Sequence, residues 1–203
     1  MALTMKTGQV TVWLARWRAG QHEALDHIVP LVYGELRQVA QRQLRREVHP
    51  ATLSATALVH EVYLRLLQQR QLQAVDRDSF LATAGHTMRR ILVDHARGRR
   101  RLKRRGDLEA VPLDSGDGID GVGAQALLSE TEVDEVLALE QVLDRLAAAD
   151  PRAARIVECR VFAGLTMDET AQALDVSAKT VQRTWLAARA FLRKELAGDS
   201  RLL

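Results

Sequence analysis

The feature that most constrains the fold of this chain is a helical apolar pattern that is interrupted once. Apolar residues recur every three to four positions up to about residue 105, and again after about residue 131. This spacing places them on one face of an α-helix. Residues 106–130 are rich in glycine and acidic residues and lack that periodicity. The pattern predicts an all-α protein of two helical domains, 1–105 and 131–203, joined by a flexible acidic linker.

Capping residues and helix breakers indicate where the helices of the first half begin and end. Gly20 closes the first helix, and Ser54 is a good N-cap for the third. Pro30 lies within the second and marks either a kink or its true start. The four expected helices cover residues 10–19, residues 23–47, a stretch after Ser54, and residues 79–104.

Composition narrows the class of protein. The chain is 47% apolar, which is enough for a core, and it has no run of 18 apolar residues that could span a membrane. The N-terminus lacks the pattern of a signal peptide. Cys159 is the only cysteine, so no internal disulfide can form. We expect a soluble, cytoplasmic protein without membrane association.

No catalytic or metal-binding motif is evident. His60-Glu61 begins a zinc-protease motif, but Leu64 stands where the second histidine is required. The six histidines show no ligand spacing, and no cluster of carboxylates accompanies Asp94-His95. We therefore expect no enzyme activity, no metal and no cofactor.

Charge is distributed unevenly along the chain. Residues 1–105 carry 19 basic against 8 acidic residues, whereas residues 106–144 carry 11 acidic residues and no Lys or Arg. Residues 145–203 are weakly basic, with 10 basic against 7 acidic residues. Basic domains attract polyanions, and an acidic stretch cannot lie on DNA.

Residues 166–192 have the spacing of a helix-turn-helix. Thr166–Glu169 is a capping box for a short helix, and Ser177 caps the longer helix that follows. Gln182 and Arg183 suit base edges, because amide and guanidinium groups match adenine and guanine in the major groove. The alternative is a plain helical hairpin that does not bind DNA. The two caps at this spacing favour the DNA-binding motif over the hairpin. The side chains expected at DNA are Ser177, Lys179, Thr180, Gln182, Arg183 and Arg189.

An arginine run ends the fourth predicted helix, with seven basic residues among positions 97–105. Such runs are usually solvated tails, but this one continues an amphipathic helix that also carries Arg89 and Arg90. Close packing of like charges costs stability unless a polyanion neutralises them. We therefore expect this helix to contact nucleic acid.

Three motifs, in their order along the chain, carry a resemblance to a known family. They are Ala57-Leu-Val-His-Glu-Val-Tyr-Leu-Arg-Leu-Leu67, Met88-Arg-Arg-Ile-Leu-Val-Asp-His-Ala-Arg97 and Leu165-Thr-Met-Asp-Glu-Thr-Ala-Gln-Ala-Leu-Asp-Val-Ser-Ala-Lys-Thr-Val-Gln-Arg183. Together they resemble the extracytoplasmic-function (ECF) sigma factors of the sigma-70 family. The resemblance covers nearly the whole chain except the linker.

The resemblance implies a sigma factor that recruits core RNA polymerase to promoter DNA. Domain 1–105 corresponds to sigma region 2, which binds the polymerase clamp and the −10 element. Domain 131–203 corresponds to sigma region 4, whose helix-turn-helix binds the −35 element while the domain contacts the polymerase flap. The residues implied in polymerase binding are Glu61, Tyr63, Leu64 and Arg65, whereas we expect core packing for Val62, Leu66 and Leu67.

For the −10 element, the resemblance implies two groups of residues. Arg77 and Asp78 fall in the stretch 73–79, which matches the loop that captures a flipped base in the family. The helix that follows would lie along the −10 DNA and supply Arg89, Arg90, Arg97, Arg100 and Arg101. Many relatives carry Asn at the position of Arg90. We therefore expect this chain to recognise a −10 sequence that differs from theirs.

A second departure lies at the start of the polymerase-binding helix. Relatives commonly have Asp-Ala-Glu-Asp there, whereas this chain has Ser54-Ala-Thr-Ala57. Phosphorylation of Thr56, with Ser54 as the lesser candidate, would restore negative charge at a helix N-terminus. This resembles the subgroup that a Ser/Thr kinase switches on. The alternative is that Ser54 only caps the helix and Thr56 is structural, and the sequence favours neither.

Other functions stay open at this point. A stand-alone helix-turn-helix regulator would bind its promoter tightly without polymerase. A helical adaptor that binds only partner proteins is a third possibility, but it would leave the arginine run unexplained. If the chain is a sigma factor, three questions stay open. They are whether a Ser/Thr kinase or an anti-sigma factor controls it, what the acidic linker does, and how the two domains are placed.

Overall fold

The computed structural model describes residues 2–44, 54–69, 74–105 and 130–199, and within them the side chains of 8–44, 54–69, 74–101 and 133–197. The described residues are helical and contain no strand, as the apolar pattern predicts. The helices are α1 (Ala2–Arg18), α2 (Ala24–Leu44), α3 (Ala55–Leu67), α4 (Arg77–Arg105), α5 (Glu130–Ala149), α6 (Pro151–Val157), α7 (Met167–Leu174) and α8 (Ala178–Asp199). The predicted linker, up to residue 129, lies outside the described residues.

Caps lie at Ser54 and Gly20, as the sequence predicts, and a further cap lies at Asp150. The Ser54 hydroxyl accepts a hydrogen bond from the backbone N–H of Ala57 at 3.3 Å and starts α3. The Asp150 carboxylate accepts from the N–H of Ala153 at 3.0 Å, with proline at the first position of α6. Gly20 ends the turn after α1 with φ +91°, a conformation that glycine adopts without steric cost.

Two helix starts differ from the prediction. Helix α1 begins at Ala2 rather than near residue 10, because no proline interrupts residues 2–9. Pro30 lies inside α2 and is not its start, since the helix begins six residues earlier, at Ala24. Proline has no N–H, so the carbonyl of Asp26 loses its helical donor on this exposed side of α2.

The first four helices pack as a bundle. Each contributes large side chains that are fully buried, among them Trp17 from α1, Leu36 from α2, Leu58 from α3 and Phe80 from α4. None of the described helices is long and apolar enough to cross a membrane.

The second half has two smaller apolar clusters. Leu143 and Leu146 of α5 pack with Val157 of α6 and Ala188 of α8. Ile156, Ala171 and Val181 join α6, α7 and α8 in a separate cluster beneath the helix-turn-helix. Cys159 is buried, as expected of a cysteine in an apolar helix.

Helix α6 ends in a π-helical turn, Glu158–Phe162, which the sequence does not predict. The N–H of Ala163 donates to the carbonyl of Glu158 at 3.1 Å, five residues back, and the N–H of Leu165 donates to that of Cys159 at 3.0 Å. Gly164 follows with φ +69°. We call residues 158–165 the π-turn segment. Widened turns of this kind occur often at functional sites.

The two halves share one core. Five residues from the second half belong to the apolar cluster of the first bundle: Val133, Leu137, Cys159, Ala163 and Leu165. They come from α5 and from the π-turn segment, and both elements pack against α4. The sequence leaves open how the two halves are placed. In the described part of the chain they are packed against each other.

We expect Phe80→Ala to lower the free energy of unfolding by about 3–5 kcal/mol, because the ring is fully buried and its loss leaves a cavity. Urea denaturation measures the change. The matched control is Val12→Ala in α1, whose side chain is 54% exposed and whose change should stay within about 0.5 kcal/mol. Equal effects of the two substitutions would contradict the assigned core.

Candidate nucleic-acid interface

The helix-turn-helix forms as the sequence predicts. The Thr166 hydroxyl accepts a hydrogen bond from the N–H of Glu169 at 3.2 Å, and the Glu169 carboxylate accepts from the N–H of Thr166 at 2.8 Å. These bonds close the capping box of α7. Asp175 ends α7 in the left-handed conformation, with φ 52°, and the chain turns at once into α8.

The first turn of α8 is held by Ser177. Its hydroxyl accepts from the N–H of Thr180 at 3.1 Å and lies 2.8 Å from the Thr180 hydroxyl. Both hydroxyls therefore already have local partners, and their part in DNA binding stays a prediction.

Burial orients α8. Val181 and Ala188 are buried, and the Arg160 guanidinium lies 5.6 Å from the centre of the Trp185 ring. The opposite face is free of these contacts, and Leu186 on it is 60% exposed. Four of the predicted DNA-binding side chains are exposed there or beside it: Lys179, Gln182, Arg183 and Arg189.

Helix α4 carries an exposed basic face. Arg90, Arg97, Arg100 and Arg101 are all exposed. Arg90, Arg97 and Arg101 follow a spacing of seven and four residues, so they share one side of the helix. Arg97 forms a long ion pair with Glu140, at 3.9 Å.

Arg89 lies on the same helix, about a quarter-turn away from the exposed face of Arg90, and it is buried. Its guanidinium forms ion pairs with Glu140 of α5 and, at 2.9 Å, with Glu158 of the π-turn segment. His86 lies 3.1 Å from the same Glu158 carboxylate. Burial raises the pKa of Glu158, but His86 and Arg89 outweigh it and lower the pKa below its ordinary value. Both carboxylates come from the second half of the chain.

Arg77 and Asp78 are not in a loop, as the resemblance implies, but in the first turn of α4. Asp76 caps that helix, because its carboxylate accepts from the N–H of Ser79 at 2.8 Å. The Arg77 guanidinium contacts Asp78 at 2.6 Å, Glu35 at 3.1 Å and Glu169 at 3.4 Å. Burial works against its charge, yet Glu35 and Asp78 raise the pKa of Arg77 above its ordinary value. Residues 70–73, next to this turn, lie outside the described residues.

The predicted polymerase-binding face of α3 is accessible. Leu64 is 41% exposed, and Leu67 is 37% exposed rather than in the core, so the expectation for Leu67 is wrong. Val62 and Leu66 are buried, as expected. Leu67 lies at the last turn of α3, where the packing against the bundle ends.

The charged groups of that face pair with one another and with neighbouring helices. Arg65 contacts Asp94 of α4 at 2.9 Å and Glu61 at 3.8 Å. The Tyr63 hydroxyl donates to Asp26 at 2.7 Å, and this hydrogen bond raises the pKa of Tyr63. These contacts link the exposed face of α3 to α2 and α4.

Sequence reasoning missed the partners of Arg89 and Arg77. Glu140, Glu158 and Glu169 were not predicted as site residues, because they meet α4 only through the docking of the two halves. A partial signal was present, since Glu158 interrupts the apolar run Ile156–Phe162 and a buried carboxylate requires a partner. Among the residues that the structure describes, no group of His, Cys, Asp and Glu is placed to hold a metal ion.

A helix-turn-helix domain packed on a bundle with an arginine-lined helix defines a DNA-binding protein of transcription. A family model described as ECF sigma factor matches residues 7–198, so the chain belongs to the ECF sigma factor family. The resemblance expected from the three motifs is confirmed. Members of this family act in transcription initiation, where they bind core RNA polymerase and promoter DNA. Comparison with curated proteins gave no match.

We expect Cys159 to be nearly unreactive in the folded chain. Its side chain is 3% exposed, and burial raises the pKa of its thiol to about 11 from 9.0. At pH 8 the shift leaves about a hundredfold less of the reactive thiolate. A colorimetric thiol reagent should modify it slowly in buffer and rapidly in urea. Fast modification of the native chain would contradict the docked arrangement, since Cys159 lies in the shared core.

Proposed function

We propose that this sigma factor reads two promoter elements with its two halves, the −10 element with α4 and the −35 element with α8. The observation that supports the proposal is the presence of two separate helices with exposed polar or basic faces in one ECF sigma factor. One has an exposed arginine face, and the other is the second helix of a capped helix-turn-helix.

The −35 contact is proposed for the exposed face of α8. Gln182 and Arg183 would reach base edges, and Lys179 and Arg189 would meet phosphates. Leu186 adds an apolar side chain to the same face, and such a group suits the methyl of a thymine. Ser177 and Thr180 lie at the N-terminus of α8, where backbone N–H groups favour a phosphate.

The −10 contact is proposed for α4. Four phosphate contacts from the exposed arginines, Arg90, Arg97, Arg100 and Arg101, would give a log–log salt slope of about −3 to −4. Arg89, Arg77 and Asp78 are proposed to reach the separated strand, where an unstacked base costs a few kcal/mol to hold. Polymerase contacts through Glu61, Tyr63, Leu64 and Arg65 would offset that cost.

Run-off transcription from a pool of randomised promoter fragments tests this function. Purified core polymerase is mixed with the protein, and the start sites are sequenced. The account predicts transcripts whose templates share two spaced sequence elements. Tight binding to one element without polymerase, together with no specific initiation, would instead establish a stand-alone regulator.

Arg183→Ala should lower specific initiation about tenfold and relax one position of the −35 element, since a good bidentate contact contributes about 1–3 kcal/mol of discrimination. Affinity for core polymerase should not change. The matched control is Arg152→Ala, an exposed arginine at the start of α6, which should transcribe like wild type. An unchanged promoter preference in Arg183→Ala would contradict the proposed contact.

We further propose that Thr56 is a phosphorylation site that controls polymerase binding. Thr56 is exposed in the first turn of α3, and that turn contains no acidic residue. A phosphate there would lie at the positive end of the helix and restore the charge that relatives carry. Ser54 is less suitable, because its hydroxyl already caps α3.

Thr56→Glu should bind core polymerase about three- to tenfold more tightly than Thr56→Gln, which has the same size without the charge. Fluorescence anisotropy of labelled protein against core polymerase measures the affinities. Equal affinities for the two variants, together with no gain when purified kinase modifies the wild type, would contradict the control by phosphorylation.

A further inference from the structure

We propose that Arg160 is a positioning residue for the −35 contact, which fixes the rotation of α8 so that the exposed face of this helix meets the DNA bases. The inference rests on the −35 function proposed for α8 and deepens it. Arg160 itself lies in the π-turn segment, outside the face that is proposed for DNA.

Helix α8 needs such a residue because little of it is buried. Among its described residues only Val181 and Ala188 are buried, and both side chains are small. Small side chains interdigitate little and therefore resist rotation about the helix axis weakly. A rotation of about 10° moves side chains at a radius of about 5–6 Å by about 1 Å. A recognition site has to be held within about 0.5 Å.

Trp185 is the largest side chain on the packed side of α8. It is half-buried, and it packs against both apolar clusters of the second half. It follows Gln182 by three residues and precedes Leu186 by one. Because side-chain directions along a helix are fixed relative to one another, the position of the Trp185 ring determines where these two side chains point.

Arg160 holds Trp185 from the π-turn. Its guanidinium lies 5.6 Å from the centre of the Trp185 ring, within the distance at which a cation is attracted to an aromatic face. One of its terminal N–H groups donates to the carbonyl of Leu165, the residue that precedes the N-cap of α7. One side chain thus joins the start of α7 to the middle of α8, which are the two helices of the helix-turn-helix.

Burial strengthens this link. Arg160 is half-buried, and within the described part of the chain its Nε is buried without a hydrogen-bond partner. Arginine keeps its charge in proteins, so the buried part of that charge must be stabilised by neighbouring groups. The attraction between a guanidinium and an indole ring is stronger where water is excluded. The Trp185 ring is therefore held in place by a charge that cannot be titrated away.

The π-turn places both contacts of Arg160. Glu158 and Arg160 lie two residues apart in it and contact opposite neighbours, Glu158 the helix α4 and Arg160 the helix α8. The N–H of Leu165 donates to the carbonyl of Cys159 at 3.0 Å. The carbonyl that accepts from Arg160 therefore belongs to a residue that the same turn already holds.

Holoenzyme assembled from core polymerase and full-length variants tests the inference. Run-off transcription is measured on one promoter from the randomised pool and on a copy whose −35 element is scrambled. The ratio of the two outputs is the −35 preference. Arg160→Met removes the charge but keeps a long side chain, and Arg160→Lys keeps the charge. Arg152→Met is the matched control, because Arg152 is an exposed arginine of α6.

We expect Arg160→Met to lower the −35 preference about tenfold, because a rotated α8 loses its base contacts. Output on the scrambled copy and affinity for core polymerase should stay at their wild-type values. Arg160→Lys should keep at least about a third of the preference, since an ammonium group can also lie over the ring and donate to a carbonyl. Arg152→Met should match the wild type.

A double-mutant cycle with Trp185→Phe shows whether the two side chains act as one unit. Phenylalanine keeps an aromatic ring but attracts a cation less strongly than tryptophan, so Trp185→Phe alone should lower the −35 preference about threefold. Added to Arg160→Met, it should cause no further loss. The modification rate of Cys159, which is buried in the shared core, should stay as slow as in the wild type in every variant.

Four outcomes would overturn the inference. They are an unchanged −35 preference in Arg160→Met or Trp185→Phe, equal losses in Arg160→Met and Arg160→Lys, losses that add in the double variant, and rapid modification of Cys159 in Arg160→Met, which would show a role in folding alone. Failure of the −35 function itself is distinguishable. It appears as an absent −35 preference in the wild type, before any substitution is made.

Discussion

The close contact between Gly85 of α4 and Ala163 of the π-turn segment is the constraint on which the rest of the structure depends. It lets two backbones approach so that Cys159, Ala163 and Leu165 complete the core of the first bundle. The same approach brings Glu158 to Arg89. Without it, the chain would contain two independent helical domains on a tether, as the sequence alone predicts.

Apolar burial and ion pairing have different effects at this interface. Burial of apolar side chains supplies most of the attraction, whereas a buried ion pair adds little net stability after the cost of desolvation. The pairs of Arg89 and Arg77 instead define one docking geometry, because each arginine must meet its carboxylates.

Local features were predictable from the sequence, and long-range ones were not. The caps at Ser54, Asp150 and Ser177 and the capping box at Thr166 depend only on neighbouring residues, and the structure has them all. The exposure of the α8 face also follows from helical spacing. The π-turn has no local sequence signature. Similarly, the burial of Arg89 could not be foreseen, because its carboxylate partners lie 51 and 69 residues away.

The central claim is that the two halves of the free protein are docked through α4, α5 and the π-turn segment. A distance measurement between two spin labels tests it most directly, one on exposed Gln38 of α2 and one on exposed Leu186 of α8. The docked arrangement predicts one short, narrow distance distribution for the free protein. A long, broad distribution would contradict it.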